Sequence, residues 1–113
     1  FNNIAYAYDI TSKKPYNNIV VIPLDLNGNG KIEPEENFYA TSTELNKAIA
    51  EGKFPSPPAR DLYLVARGVP DKVEVVAFLE YILTEGQQFA SEVGYVGLAP
   101  EILMEELSKL QRK

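Results

Sequence analysis

The 113-residue sequence contains no cysteine, no histidine and no tryptophan, and only one methionine. Without thiol or imidazole, these residues have no thiolate nucleophile, no thiolate zinc site and no histidine acid–base pair. The lack of cysteine does not by itself assign a compartment. Ser42, Ser56, Ser91 and Ser108 have no histidine partner and no nucleophile elbow around them. No glycine-rich phosphate loop of the Walker type occurs. No apolar run approaches the roughly 20 residues of a membrane-spanning helix, and no signal peptide is legible. Basic residues are also short, 11 against 16 acidic ones, for a formal charge of −5. That balance disfavours nucleic-acid binding. Lys13 and Lys14 form an isolated basic pair, and Lys109, Arg112 and Lys113 suit the end of a last helix. No constellation of acid, base and nucleophile emerges, so no enzymatic activity is expected. The first residue is Phe1, not Met, and it leads at once into a strand-like stretch; the expectation is a piece of a longer protein.

Forty-five per cent of the residues are apolar and 24 % charged, an ordinary balance for one globular domain with a modest core. Residues 4–8 alternate large residues with alanine, as a strand does. Residues 11–18 form a polar turn around Pro15. Residues 19–24 carry Ile19, Val20, Val21 and Ile22, a β-branched run that predicts a second strand. After a polar loop, Thr41 and Glu44 fit a capping box for a helix to about Ala50, with Leu45, Ala48 and Ile49 on its apolar face and Gly52 as its stop. Residues 54–59 hold three prolines and read as extended linker. Residues 61–66 read as a third strand, and Gly68 and Pro70 turn the chain. Asp71 is the expected cap of a helix to about Leu83, with Val73, Val76, Ala77, Leu79 or Tyr81, and Leu83 apolar. Residues 85–93 continue helically to Gly94, residues 95–98 are extended, and Pro100 opens an amphipathic helix with Ile102, Leu103, Leu107 and Leu110 on one side. Three strands mixed with helices predict an α/β fold, a small sheet flanked by helices.

The sharpest chemistry lies in residues 25–36, which fit the twelve-residue EF-hand calcium loop at each defining position. Asp25, Asn27 and Asn29 stand first, third and fifth, where short oxygen-bearing side chains converge on one ion. Gly30 is sixth, where the chain turns sharply. Lys31, seventh, offers its carbonyl; Ile32, eighth, is the apolar anchor. Glu33, ninth, acts through water, and Glu36, twelfth, supplies two carboxylate oxygens. Such hard oxygen ligands suit calcium, held as a structural ion. The flanks depart from an EF-hand, because a strand-like run precedes Asp25 and Pro34 opposes an immediate exiting helix. The competing reading is a plain turn, since Asn27-Gly28 and Asn29-Gly30 are both strong turn signals. Glu35 and Glu36 as paired hydrolytic carboxylates are disfavoured because adjacent side chains diverge. Tyr6, Tyr8, Tyr63, Tyr81 and Tyr95 suit core or interface packing more than a ligand cleft.

Several segments together resemble the end of the phosphate-binding proteins of ABC importers. Pro57-Pro58-Ala59-Arg60-Asp61-Leu62-Tyr63-Leu64-Val65 is similar to that family's late strand, a proline followed by Arg-x-Leu-Tyr. Val76-Ala77-Phe78-Leu79-Glu80-Tyr81-Ile82-Leu83-Thr84-Glu85-Gly86-Gln87-Gln88 is similar to its late helix pair. Gly94-Tyr95-Val96-Gly97-Leu98 is similar to its ending, with Gly97 in place of the usual proline. Residues 1–8 resemble the strand that follows a Gly-x-Ile-Gly turn. The resemblance covers most of the chain, residues 1–113 as the C-terminal portion of such a protein; the calcium-like loop is not a usual feature of the family. It implies part of a type II periplasmic-binding-protein clamshell, an extracytoplasmic location, and delivery of phosphate or a related oxyanion to an ABC permease in the membrane. The family grips its anion with hydroxyls, helix-start amides, an arginine and an aspartate. No Ser-Gly-Thr segment occurs here to receive those roles, so no anion contact is carried over.

Two functions stand side by side: the solute-binding component of an importer, and a calcium-stabilised structural or interaction module. The apolar faces of the last helices exceed what three short strands cover, which predicts self-association of the chain.

Overall fold

The computed structural model describes residues 3–111. The chain starts with a short helix, α1, Ile4–Ala7, where a strand was expected. The Asn3 side chain accepts a hydrogen bond from the Ala5 amide at 2.9 Å and caps this turn. The alternation of residues 4–8 survives only as an isolated antiparallel bridge between Tyr8 and Pro15. Between them, Asp9 closes a tight turn, taking the amides of Ser12 and Thr11 at 2.6 and 3.1 Å. The expectation for residues 1 and 2, and for Arg112 and Lys113, lies outside the described residues.

Helix α2, Ser42–Ala50, forms as its sequence predicts. Thr41 is the N-cap and its hydroxyl accepts from the Glu44 amide at 3.2 Å. Gly52 follows the helix with φ of 70°, the left-handed conformation that ends a helix cheaply only at glycine. Leu45 and Ala48 of α2 are buried, and together with Tyr8 and Tyr39 they form the core. Phe38, Tyr39 and Phe54 close it as an aromatic trio with ring centroids 4.8–6.4 Å apart. The Tyr8 hydroxyl donates to the Tyr39 carbonyl at 2.8 Å within it.

The proline-rich stretch is not an extended linker. Residues 56–58 turn, with cis bonds before Pro57 and Pro58, and the Ser56 hydroxyl bonds the Ala59 carbonyl at 2.7 Å. Helix α3, Val73–Leu83, begins after Lys72, without a side-chain cap, so Asp71 does not serve as one. Residues Glu85–Val93 wind as a 3₁₀ helix ending at Gly94, whose φ is 83°. Helix α4, Pro100–Leu110, has its proline at the first position as expected. α3 packs on the 3₁₀ helix and on α4, half-burying Val76, Leu79, Ile82, Leu103, Leu107 and Leu110.

No β-strand and no sheet exist among the described residues, so the α/β clamshell expectation is overturned: the fold is helical. The two remaining predicted strands, 19–24 and 61–66, adopt no ladder, and Val20 and Val65 are 87 % and 94 % exposed. The physical reason is pairing. A run of β-branched or aromatic and apolar residues realises its strand preference only where another strand satisfies its backbone and covers its side chains. The radius of gyration is 17.1 Å, against about 13 Å for a compact chain of this length.

Candidate functional site

Residues 25–36 form a tight loop joined directly to the aromatic core. Asp25 sits at its mouth. One Asp25 oxygen accepts the amides of Gly28 and Asn29 at 2.7 and 3.2 Å, and the other accepts that of Gly30 at 2.7 Å. Gly28 and Gly30 have φ of 74° and 79°, which permits the two sharp reversals around this carboxylate. The Gly30 amide above all, with those of Gly28 and Asn29, holds the Asp25 carboxyl below its ordinary value of 3.8, against a smaller opposing effect of desolvation.

The asparagines continue the winding. The Asn27 side-chain oxygen accepts from the Asn29 amide at 3.0 Å, and that of Asn29 accepts from the Lys31 amide at 2.8 Å. Their side-chain nitrogens both donate to Glu33, at 2.6 Å each. Glu36 is 5 % exposed, the one buried charged residue among those described. Its carboxylate reaches back across the loop, one oxygen accepting from Leu26 and Asn27 at 2.9 and 3.2 Å and the other from the Glu33 amide at 3.2 Å.

The six sequence-predicted ligand residues are therefore drawn into one loop, but not as a ring of carboxylates. Asp25 and Glu36 are each turned onto backbone amides, and Glu33 onto the two asparagines. Lys31 takes part through its amide. No group of three or more Asp, Glu, His or Cys side chains stands close enough to hold a metal among the described residues. The donor set is entirely oxygen, which fits a hard cation and not zinc. Glu35, the suggested catalytic neighbour of Glu36, is exposed beside the mixed charges of Glu44, Lys47, Glu51 and Lys53. Lys47 and Lys53 are both paired with Glu51, at 3.8 and 2.7 Å.

Two residues matter more here than their sequence context suggested. Tyr39 receives the Leu24 amide on its hydroxyl at 3.3 Å and the Tyr8 hydroxyl on its carbonyl, so it locks both ends of the loop region to the core. Its signal was the Phe38-Tyr39 pair immediately after the polar loop. Gln87 is the second. Its side-chain nitrogen donates to the Ile82 carbonyl at 2.8 Å, and its side-chain oxygen accepts from the Leu98 amide at 3.0 Å. One side chain thus ties the end of α3 to residues 95–98.

No protein-family model, no curated protein and no solved structure matches the chain.

Proposed function

We propose that the chain belongs to the solute-binding component of a phosphate-type importer, working outside the cytoplasmic membrane and handing an oxyanion to a membrane permease. The observation that carries this reading is the ordered set of three motif-like segments, residues 57–65, 76–88 and 94–98. Gln87 lends it support, since a residue of the second segment holds the third in place through Leu98. No residue here is assigned to the anion, because the chain contains no Ser-Gly-Thr helix start. The test is equilibrium dialysis of radiolabelled phosphate against the native polypeptide that carries this sequence, with fractionation of the cell. Saturable phosphate binding by an extracytoplasmic protein is expected. A native protein that binds no oxyanion overturns the reading. The 113-residue chain alone is expected to bind no phosphate, and saturable micromolar binding by it would place the anion grip within these residues.

The complete twelve-position spacing of residues 25–36 favours a second role, a structural calcium ion. The ion would take the side-chain oxygens of Asp25, Asn27, Asn29 and Glu36, the Lys31 carbonyl, and Glu33 through water. Binding requires the asparagine nitrogens to leave Glu33 and Glu36 to exchange amides for the ion. Calorimetry with calcium and with magnesium tests this. Heat with calcium, lost in Glu36→Gln, is expected; no heat at millimolar calcium overturns it. At a free concentration one hundred times the dissociation constant, bound calcium adds about 2.7 kcal/mol of stability.

A further inference from the structure

Residues 61–66 run without helix, turn or bend, and the chain bends next at Arg67. From residue 60 to residue 71 the backbone makes no backbone–backbone hydrogen bond with any described residue. The Tyr63 hydroxyl donates to Asp61 at 3.1 Å, so residues two apart share a side, the alternation of a strand. Leu62, Tyr63 and Leu64 are 68 %, 79 % and 68 % exposed. This is a pairing edge with a bulky apolar sequence and no described backbone bonded to it.

We propose that residues 61–67 pair antiparallel with the same residues of a second copy of this chain, about a two-fold axis through Leu64. The register is selected by charge. With the axis at Leu64, Asp61 lies opposite Arg67 at both ends, and Tyr63 lies opposite Val65, an aromatic on a β-branched residue. Leu62, Leu64 and Ala66 then form a continuous apolar face on the other side. Moving the axis one residue to Tyr63 sets Asp61 against Val65, moving it one residue to Val65 sets Arg67 against Tyr63, and a parallel in-register pair sets every charge against its like. A two-fold contact is self-complementary by construction, which this sequence satisfies.

The surface available agrees. The chain exposes 8930 Å², whereas a compact protein of 12.6 kDa exposes about 6,200 Å². The difference exceeds the roughly 800 Å² per partner that a stable complex covers. The other uncovered run, residues 19–24, is a poorer edge. The Ile19 amide is bonded to the Tyr16 carbonyl, the Leu24 amide to Tyr39, and Pro23 has no amide to give.

The experiment is sedimentation equilibrium of the 113-residue chain from low to high micromolar concentration, with three partners compared. Wild type is expected to form a dimer of the 12.6 kDa chain. Asp61→Arg and Arg67→Asp, both at exposed positions, are each expected to weaken association about tenfold or more, because like charges then face each other twice. An equimolar mixture of the two variants restores the complementary pairs and is expected to form a heterodimer as tight as wild type. A wild-type monomer throughout, single variants that associate like wild type, or a mixture that fails to recover association would each overturn the proposal.

Discussion

Glu36 and Tyr39 show how much of this molecule rests on single polar atoms. Glu36→Ala leaves the amides of Leu26, Asn27 and Glu33 without their acceptor in a part-buried setting, and a loss of about 1–2 kcal/mol is expected in chemical denaturation. Tyr8→Phe removes a buried hydrogen bond to the Tyr39 carbonyl while leaving the ring packed, so about 1 kcal/mol is expected by the same measurement. Asp25 supplies a pH signature. Its carboxyl is held below 3.8 in the folded loop, so the stabilisation it contributes is complete above that value and disappears as pH falls through the lower, folded pKa. A carboxyl carbon titration by NMR should place the Asp25 midpoint below that of an unstructured aspartate; an unshifted midpoint would show that the Gly30 contact is not kept in solution. The oxygen-rich residues of this loop were legible from their spacing. That their carboxylates would face amides was not, because side-chain direction depends on what fills the loop's centre.

At the scale of elements, the longer helices came through, while the strands and the short α1 did not. Thr41, Gly52 and Pro100 mark helix ends by local geometry, a cap hydrogen bond, a positive φ and a fixed φ respectively, and each sits where its chemistry placed it. A helix closes its hydrogen bonds within itself, so a short stretch of sequence suffices to encode it. The runs at 19–24 and 61–66 hold equally clear residue preferences, but their bonds must be made elsewhere. Gly94 combines both dependencies. Its left-handed φ follows from its place after the 3₁₀ helix, while an added Cβ would lie 2.8 Å from that of Ala5 and 2.9 Å from the Ala5 nitrogen. Gly94→Ala is therefore expected to destabilise by more than the 1–2 kcal/mol of the conformational penalty. Gly52→Ala, with φ of 70° and nothing within 4 Å of the new Cβ, is expected to show that penalty alone. Equal effects in the two variants would show that the approach of α1 to Gly94 is not maintained.

Over the whole molecule, burial is uneven. Tyr8, Glu36, Tyr39, Leu45 and Ala48 are the buried residues among those described, and all precede the proline turn. α3 is apolar nearly all round, yet Val73, Val75, Phe78 and Tyr81 are exposed, so it lacks the cover such a helix ordinarily has. Amide hydrogen exchange under conditions where the chain is monomeric should therefore protect α2 more strongly than α3 or α4; uniform protection would show one cooperative unit. The amino-acid order alone determined the two ends of α2, the start of α4, the twelve-position spacing of residues 25–36 and the charge balance, because each of these depends on neighbours within a few positions. Only the tertiary structure decided that Tyr39 and Gln87 would be the ties, that Glu36 would be buried, and that residues 19–24 and 61–66 would find no strand partner within the described residues. Those outcomes depend on which distant surfaces meet, and strand pairing within one chain in particular requires a second strand whose arrival a run's own residues do not encode.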